Sequence, residues 1–348
     1  MMSELNGTAF TIDQIPEPDD LRNVIYSMIA IPHLSPVNIF NEFSPASIDS
    51  NQIGKDDLSG VGVFKTDESG NSFSQTIYVD YKRLAIDPFV AAQIIVAKAV
   101  RRLVCNGAEP IAMSAFINNV DFASPLAEEM VTAARLGLNA AATAFNLQFP
   151  NSKIYYEHAN STVAAPPTLI VSLVGKLITP IKQEKNSLKK KGNHILLIGR
   201  SANNINASEY LTHIHEVNDT PLMPFNLSFE HKLMTAIKEL IKNNLVVSAS
   251  PVGMGGLFFT LLRGALPHEL GFDITTDAEI RTDAFLFGEA MGRIVVSVEE
   301  EKENDFVDFL YDQKIPVMTL GHVTKGEIRI DDQSLGFVDK GIIGEYSE

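Results

Sequence analysis

Residues 87–116 read DPFVAAQIIVAKAVRRLVCNGAEPIAMSAF, and this stretch decides the fold class. The Asp87 side chain can cap free backbone N–H groups and Pro88 fits a first helical turn, so a helix starts here. It runs to about Asn106, where Gly107 suits the left-handed turn that ends a helix. Pro110 restarts the chain, and Ile111 to Phe116 reads as a buried strand. Upstream, Gly60 to Phe64 and Thr76 to Val79 read as strands of a hairpin about a Gly/Ser/Asn turn from Glu68 to Ser72. Residues 44–60 read as a loop, Leu21 to Ile31 as a helix stopped near Pro32, and residues 1–20 as a loose arm. Downstream, Ser124-Pro125 repeats the cap-and-proline start of a helix that extends to about Phe145. Thr168 to Leu177 follows as a strand.

A composition break at residues 179–193, rich in lysine (Lys182, Lys185, Lys189, Lys190, Lys191), marks a boundary. Its plain reading is a solvated linker turn, with contact to a phosphate or an acidic partner as the other. Beyond it, strands are expected at His194–Ile198, Leu245–Ser248, Phe272–Thr275, Arg293–Val298, Val317–Leu320 and Glu327–Ile330. Helices are expected from Ser228 to about Asn244, from Gly256 to about Arg263, and from Glu300 to Gln313. The chain therefore reads as an arm (1–20), an N-terminal domain (21–178), a linker (179–193) and a C-terminal domain (194–348). Both domains are α/β or α+β.

The formal charge of the 348-residue chain is −15, which argues against a broad nucleic-acid surface, whose affinity rests on neutralising phosphates. A small basic pocket for one nucleotide remains compatible with it. Cys105 is the one cysteine, so neither an intrachain disulfide nor a cysteine-based metal cluster can form. No secretory leader or bilayer-spanning stretch is read, which points to the cytoplasm and away from a membrane.

Ser250-Pro251-Val252-Gly253-Met254-Gly255-Gly256-Leu257 lies between a strand and a helix, where backbone N–H groups can approach a phosphate. A tight packing turn reads equally well. Arg101 and Arg102 suit a phosphate or a carboxylate, or simply a surface helix face. Asp80, Lys82 and Arg83 sit at a strand end, where a site or plain solvation fits. Glu289 and Arg293, four apart, suit a local ion pair. His213 and His215 lie close together without a third ligand in sequence, so no metal site is read there.

Several blocks taken together resemble the aminoimidazole ribonucleotide synthase-related superfamily, and within it the second half of phosphoribosylformylglycinamidine synthase. They are Asp87-Pro88, Gly107-Ala108-Glu109-Pro110-Ile111-Ala112 and Ala165-Pro166-Pro167-Thr168-Leu169-Ile170-Val171 with Gly175. In the second half they are Ser208-Glu209-Tyr210-Leu211, Gly255-Gly256-Leu257 and Leu286-Phe287-Gly288-Glu289-Ala290-Met291-Gly292-Arg293. The resemblance implies a two-domain fold: an N-terminal mixed sheet that forms a barrel with a second copy or half, and a C-terminal α/β domain beside it. It implies purine-pathway chemistry, with ATP and Mg²⁺ in a cleft between the domains.

The sequence departs from that family where the chemistry should be. The loop that in the family reads His-Asp-Val-Ser-Asp is Ser250-Pro251-Val252-Gly253-Met254 here. Arg101-Arg102 stands where an Asn-Asp pair is common, and an arginine repels Mg²⁺. Two readings stay open. One is a degenerate homologue that binds a nucleotide (ATP or ADP) or a phosphometabolite, or serves as a subunit of a synthase. The other is an active ATP-dependent ligase forming C–N bonds, with Asp80, Glu109, Asp121 and Glu289 as replacement carboxylates. The residues expected to hold a ligand are the backbone N–H groups of Gly255 and Gly256, with Lys82, Arg101, Arg102 and Asn151. A homodimer through the N-terminal sheet is expected.

Overall fold

The computed structural model describes residues 10–34, 61–65, 72–121, 126–157, 167–178, 186–218 and 220–338. The expected loop 44–60, most of the 68–72 turn, the Ser124-Pro125 helix start, and Lys182 and Lys185 lie outside them.

Two sheets organise the chain. The first has five strands in the order β1-β2-β5-β3-β4. These are Gly62–Lys65 (β1), Ser72–Asp80 (β2), Ala108–Asp121 (β3), Gln148–Glu157 (β4) and Thr168–Leu177 (β5). All pairings are antiparallel except β3 with β4. Side chains alternate across a strand. Leu169, Val171 and Leu173 of β5 thus face inward beside Met113, Ala115 and Ile117 of β3, against the helices Pro88–Cys105 and Ala127–Ala144. The two helices approach so closely that a Cβ on Gly137 would sit 2.2 Å from the Phe89 carbonyl oxygen.

The second sheet has seven strands in the order β12-β11-β8-β10-β6-β9-β7. They are His194–Ile198 (β6), Ser248–Pro251 (β7), Gly271–Ile274 (β8), Ile294–Val298 (β9), Val317–Thr324 (β10), Glu327–Ile330 (β11) and Gln333–Phe337 (β12). Its two faces enter different cores. Leu196, Ile198, Ile294, Val296 and Val298 join the core shared with the N-terminal helices. Ile195, Leu197 and Val295 pack on the opposite side with the helix Gly256–Ala265.

The helix Pro88–Cys105 is the pivot between the halves. Thirteen of its eighteen residues are buried, including Arg101 and the thiol of Cys105, because it is covered by the first sheet on one side and by the helix Leu227–Lys242 and β7 on the other. Its start follows the expected chemistry, the Asp87 carboxylate accepting from the Val90 N–H at 3.0 Å.

The structure changes several expectations. The helix Leu21–Ile29 buries Val24, Ile25, Met28 and Ile29 against the core of the C-terminal sheet, rather than packing with the N-terminal one. Residues 10–20, read as a loose arm, are tied down: Ile15 is buried, and the Arg281 guanidinium donates to the carbonyls of Ile12 and Ile15 at 2.9 and 2.8 Å. The described end of the 179–193 linker is packed as well, with Leu188 in the core and its N–H on the Gly264 carbonyl.

Arg101, 1% exposed, lies with its Nε 3.4 Å from Oε2 of Glu230 on the other half. Removing one partner of such a buried pair strands the other charge, which costs about 3–5 kcal/mol. Glu230→Ala is therefore expected to destabilise by about that much, measured by urea unfolding. Arg101→Met combined with Glu230→Leu is expected to recover most of the loss.

Candidate functional site

A cavity of about 690 Å³ opens where the two halves meet. Segments of both halves build it. The end of β2 brings Tyr78 to Tyr81, and the short helix Lys82–Ile86 brings Lys82 and Arg83. The pivot helix adds Lys98, Arg101 and Arg102, whose i, i+3, i+4 spacing puts three cations on one helical face. From the C-terminal half come Glu209 and His213, the Ser250–Met254 loop, Arg263 and Glu289.

Charge sets this cavity apart. Six cationic side chains (Lys82, Arg83, Lys98, Arg101, Arg102, Arg263) line it against three carboxylates (Asp80, Glu209, Glu289), in a chain whose net charge is −15. The three carboxylates are already engaged. Asp80 accepts from the Arg83 backbone N–H at 2.9 Å and its guanidinium at 2.8 Å. Glu209 receives His33 and His213, each with Nε2 2.9 Å from Oε2, and Lys82 at 3.7 Å from Oε1. Burial opposes the Glu209 charge, but the hydrogen bond from His33 and the charge of Lys82 outweigh it, so its pKa falls below the usual range. The Glu289 Oε1 accepts from the N–H groups of Glu209 and Gly255, both at 3.0 Å, while Oε2 lies 3.8 Å from Arg83.

The cations are less fully engaged. Lys98 has no hydrogen bond or ion pair among the described residues. Burial pushes its pKa down to about 8, and Arg83 and Arg101 push the same way against Glu289 and Asp80. The Nη1 of Arg101 is buried without a hydrogen-bond partner. The Arg102 guanidinium sits 4.0 Å over the Tyr78 ring. Arg263 donates to the Met254 carbonyl, and burial lowers its pKa to about 10.

The structure sorts the expected site residues. Lys82, Arg101 and Arg102 converge on the cavity. Gly255 and Gly256 take positive φ (80° and 77°), which glycine adopts without strain, but neither N–H faces outward for a phosphate. The first is held by Glu289, and the second donates to the Gly253 carbonyl at 2.9 Å. The glycines thus shape a tight turn, and their donors are spent inside it. Asn151 is a β4 residue opposite Ser114; its side chain lies outside the described part, as does that of Asp121. Glu109 lies outside the cavity and pairs with Lys238 at 2.8 Å.

Glu289 and Arg293 do not form the expected pair. Arg293 instead donates to Ser201 and to the Phe285 and Gly288 carbonyls. His213 turns to Glu209 and His33 rather than to His215, whose ring packs edge-on against Tyr210. Sequence reasoning did not place His33, Lys98, Glu209 or Arg263 in a site. The Lys98/Arg101/Arg102 spacing was the available signal for one of them.

A Mg²⁺ site needs oxygen ligands in near-octahedral array. Among the described residues, each cavity carboxylate is instead committed to cations or imidazoles, so this set does not fit Mg²⁺. No described helix is long and apolar enough to cross a membrane.

Residues 190–332 match the family described as AIR synthase related protein, C-terminal domain. The chain is 27% identical over 340 residues to the phosphoribosylformylglycinamidine synthase subunit PurL of Alkaliphilus metalliredigens, covering 97% of this chain and 45% of that protein. It thus spans about half the length of the curated relatives it matches. Among solved structures it resembles T. maritima PurL complexed with FGAR, at TM-score 0.69 and 13% identity, over 94% of this chain and 54% of that one. It also resembles the same protein complexed with ATP, at TM-score 0.61 and 13% identity, over 89% and 49%. A chain of a HypE-HypF complex matches at TM-score 0.63 and 16% identity, over 85% of this chain and 97% of that one.

The low pKa of Lys98 has a sign that can be measured. Between about 8 and the ordinary 10.5, the folded state binds fewer protons than the unfolded state. Stability therefore rises with pH across that window. Comparison of wild type with Lys98→Met by urea unfolding from pH 7 to 10 is expected to show this rise only in the wild type.

Proposed function

The chain is a member of the AIR synthase-related, PurM/PurL-like superfamily, and from that premise we propose that its cavity binds a nucleotide or a similar phosphorylated metabolite without Mg²⁺-dependent phosphoryl transfer. The observation that carries this is the cationic excess: Lys98, Arg102 and Arg263 are left over once the cavity carboxylates are paired, and Arg101 is held by Glu230 from outside the cavity. An anion entering the cavity relieves the mutual repulsion of these groups and satisfies the buried Nη1 of Arg101. Arginine forks and a lysine point charge suit phosphate oxygens. That T. maritima PurL has been crystallised with ATP makes adenine nucleotides the first ligands to try.

The alternative is an active purine-pathway ligase. It requires a metal held by carboxylates, and the pairing of Asp80, Glu209 and Glu289 speaks against that. Thermal unfolding with ATP, ADP and AMP, each with and without Mg²⁺, separates the two. A ligand at about 100 times its dissociation constant stabilises by roughly 2.7 kcal/mol. A shift independent of Mg²⁺ is expected, and one that requires Mg²⁺ favours the ligase. Replacing Lys98 or Arg102 by Met is expected to weaken binding at least about tenfold, since a hydrogen bond to a charged group is worth about 1.5–3 kcal/mol.

We also propose that the open face of the five-stranded sheet docks a second copy. Val79 pairs with Ile170 and Ile170 with Phe116, an apolar row across three strands. Ile77 and Val79 are each 56% exposed, and Ile111 of β3 is exposed as well. A face of this kind on a monomer marks an interaction surface, and a barrel built from two such sheets is what the family resemblance implies. Sedimentation is expected to give a dimer for the wild type and a monomer for Ile77→Asp.

A further inference from the structure

The cavity rim carries a cluster that the phosphate reading does not use. Glu209 and His213 stand four apart on the helix Glu209–Ile214, so their side chains share one face. His33 comes from the far end of the chain, 176 residues away, and meets the same carboxylate. The Nε2 atoms of both imidazoles lie 2.9 Å from Oε2 of Glu209, and one ligand atom from each of the three residues falls within 4.8 Å of the others. The two rings lie 5.4 Å apart between centroids, tilted by 55°.

We propose that His33, Glu209 and His213 form a binding site for a divalent cation of the Zn²⁺ class. Two imidazole nitrogens and one carboxylate oxygen are a ligand set that suits Zn²⁺, Co²⁺ or Ni²⁺ and not the all-oxygen demand of Mg²⁺. Zinc binds such atoms at about 2.0–2.2 Å, which sets them about 3.3 Å apart in a tetrahedron. To admit the ion, the carboxylate swings away from the two nitrogens, now 2.9 Å from it, and the imidazoles close on the same point. Its backbone is fixed for that task, because the Glu209 N–H is held by Glu289. Three protein ligands leave a fourth position, open for water or an anion at the cavity rim. The site needs no nucleotide, so it stands or falls separately from the proposed function.

The test is calorimetric titration of the chelator-treated, nucleotide-free protein with Zn²⁺, and with Co²⁺ followed by its visible absorption. One equivalent is expected to bind, with a Co²⁺ spectrum of imidazole coordination. His33→Ala and His213→Ala are each expected to weaken Zn²⁺ binding by more than the roughly 10–100-fold that loss of an outer-shell partner produces. His194→Ala serves as the control. Among the described residues that imidazole pairs with Glu303, at 2.6 Å, away from the proposed site, and its removal is expected to leave Zn²⁺ binding unchanged. If His213→Ala does not fold, as judged by circular dichroism, His33→Ala decides. Absence of Zn²⁺ and Co²⁺ binding, or affinity unchanged in the single-histidine variants that fold, overturns the proposal and leaves a hydrogen-bonded trio.

Discussion

The burial of one arginine constrains the rest of this molecule. Arg101 sits on a helix enclosed between the two halves, and a charge there is tolerable only with a partner. The partner is Glu230, and it belongs to the other half. The two halves therefore dock in the one register that brings these groups together. That register also sets the cavity, because Lys98 lies one turn before Arg101 and Arg102 directly after it, and both line the cavity with it. The apolar core that runs from the first sheet through the pivot helix to β6 and β9 supplies the bulk of the attraction. The ion pair selects how that attraction is satisfied.

Glu289 plays the complementary part on the C-terminal side. One carboxylate oxygen gathers the N–H of the glycine turn and the N–H that starts the Glu209 helix, and the other faces Arg83. A single side chain thus fixes three walls of the cavity. The same arrangement explains why the glycine turn does not present its donors to a ligand. The cavity's positive charge comes from side-chain cations, and the backbone turn is scaffolding beside them.

Much of the architecture was legible in the sequence, for local reasons. The pivot helix announced itself through Asp87-Pro88 and Gly107, and β6 and β9 through mostly apolar runs. What was not legible depended on pairing. β4 contains Pro150, Asn151 and Ser152, where no strand was expected, yet at the sheet edge a proline is tolerated and parallel pairing to β3 makes a strand. β7 likewise ends in Pro251 at an edge, three residues beyond the expected strand. Of the cavity lining, Lys82, Arg101 and Arg102 were expected from charge and spacing. His33 and Glu209 were not, because nothing local announces a meeting across 176 residues.

Cys105 closes the pivot helix and is fully buried, and burial pushes its thiol up to about 12. Only the thiolate attacks an electrophile, so in the native chain this sulfur is close to inert. Being the sole cysteine, it gives the protein a silent internal reporter: alkylation can proceed only when the core shared by the two halves comes apart. A mass spectrum recorded after a timed pulse of iodoacetamide would then count openings of that core alone, one molecule at a time, with no label attached beforehand.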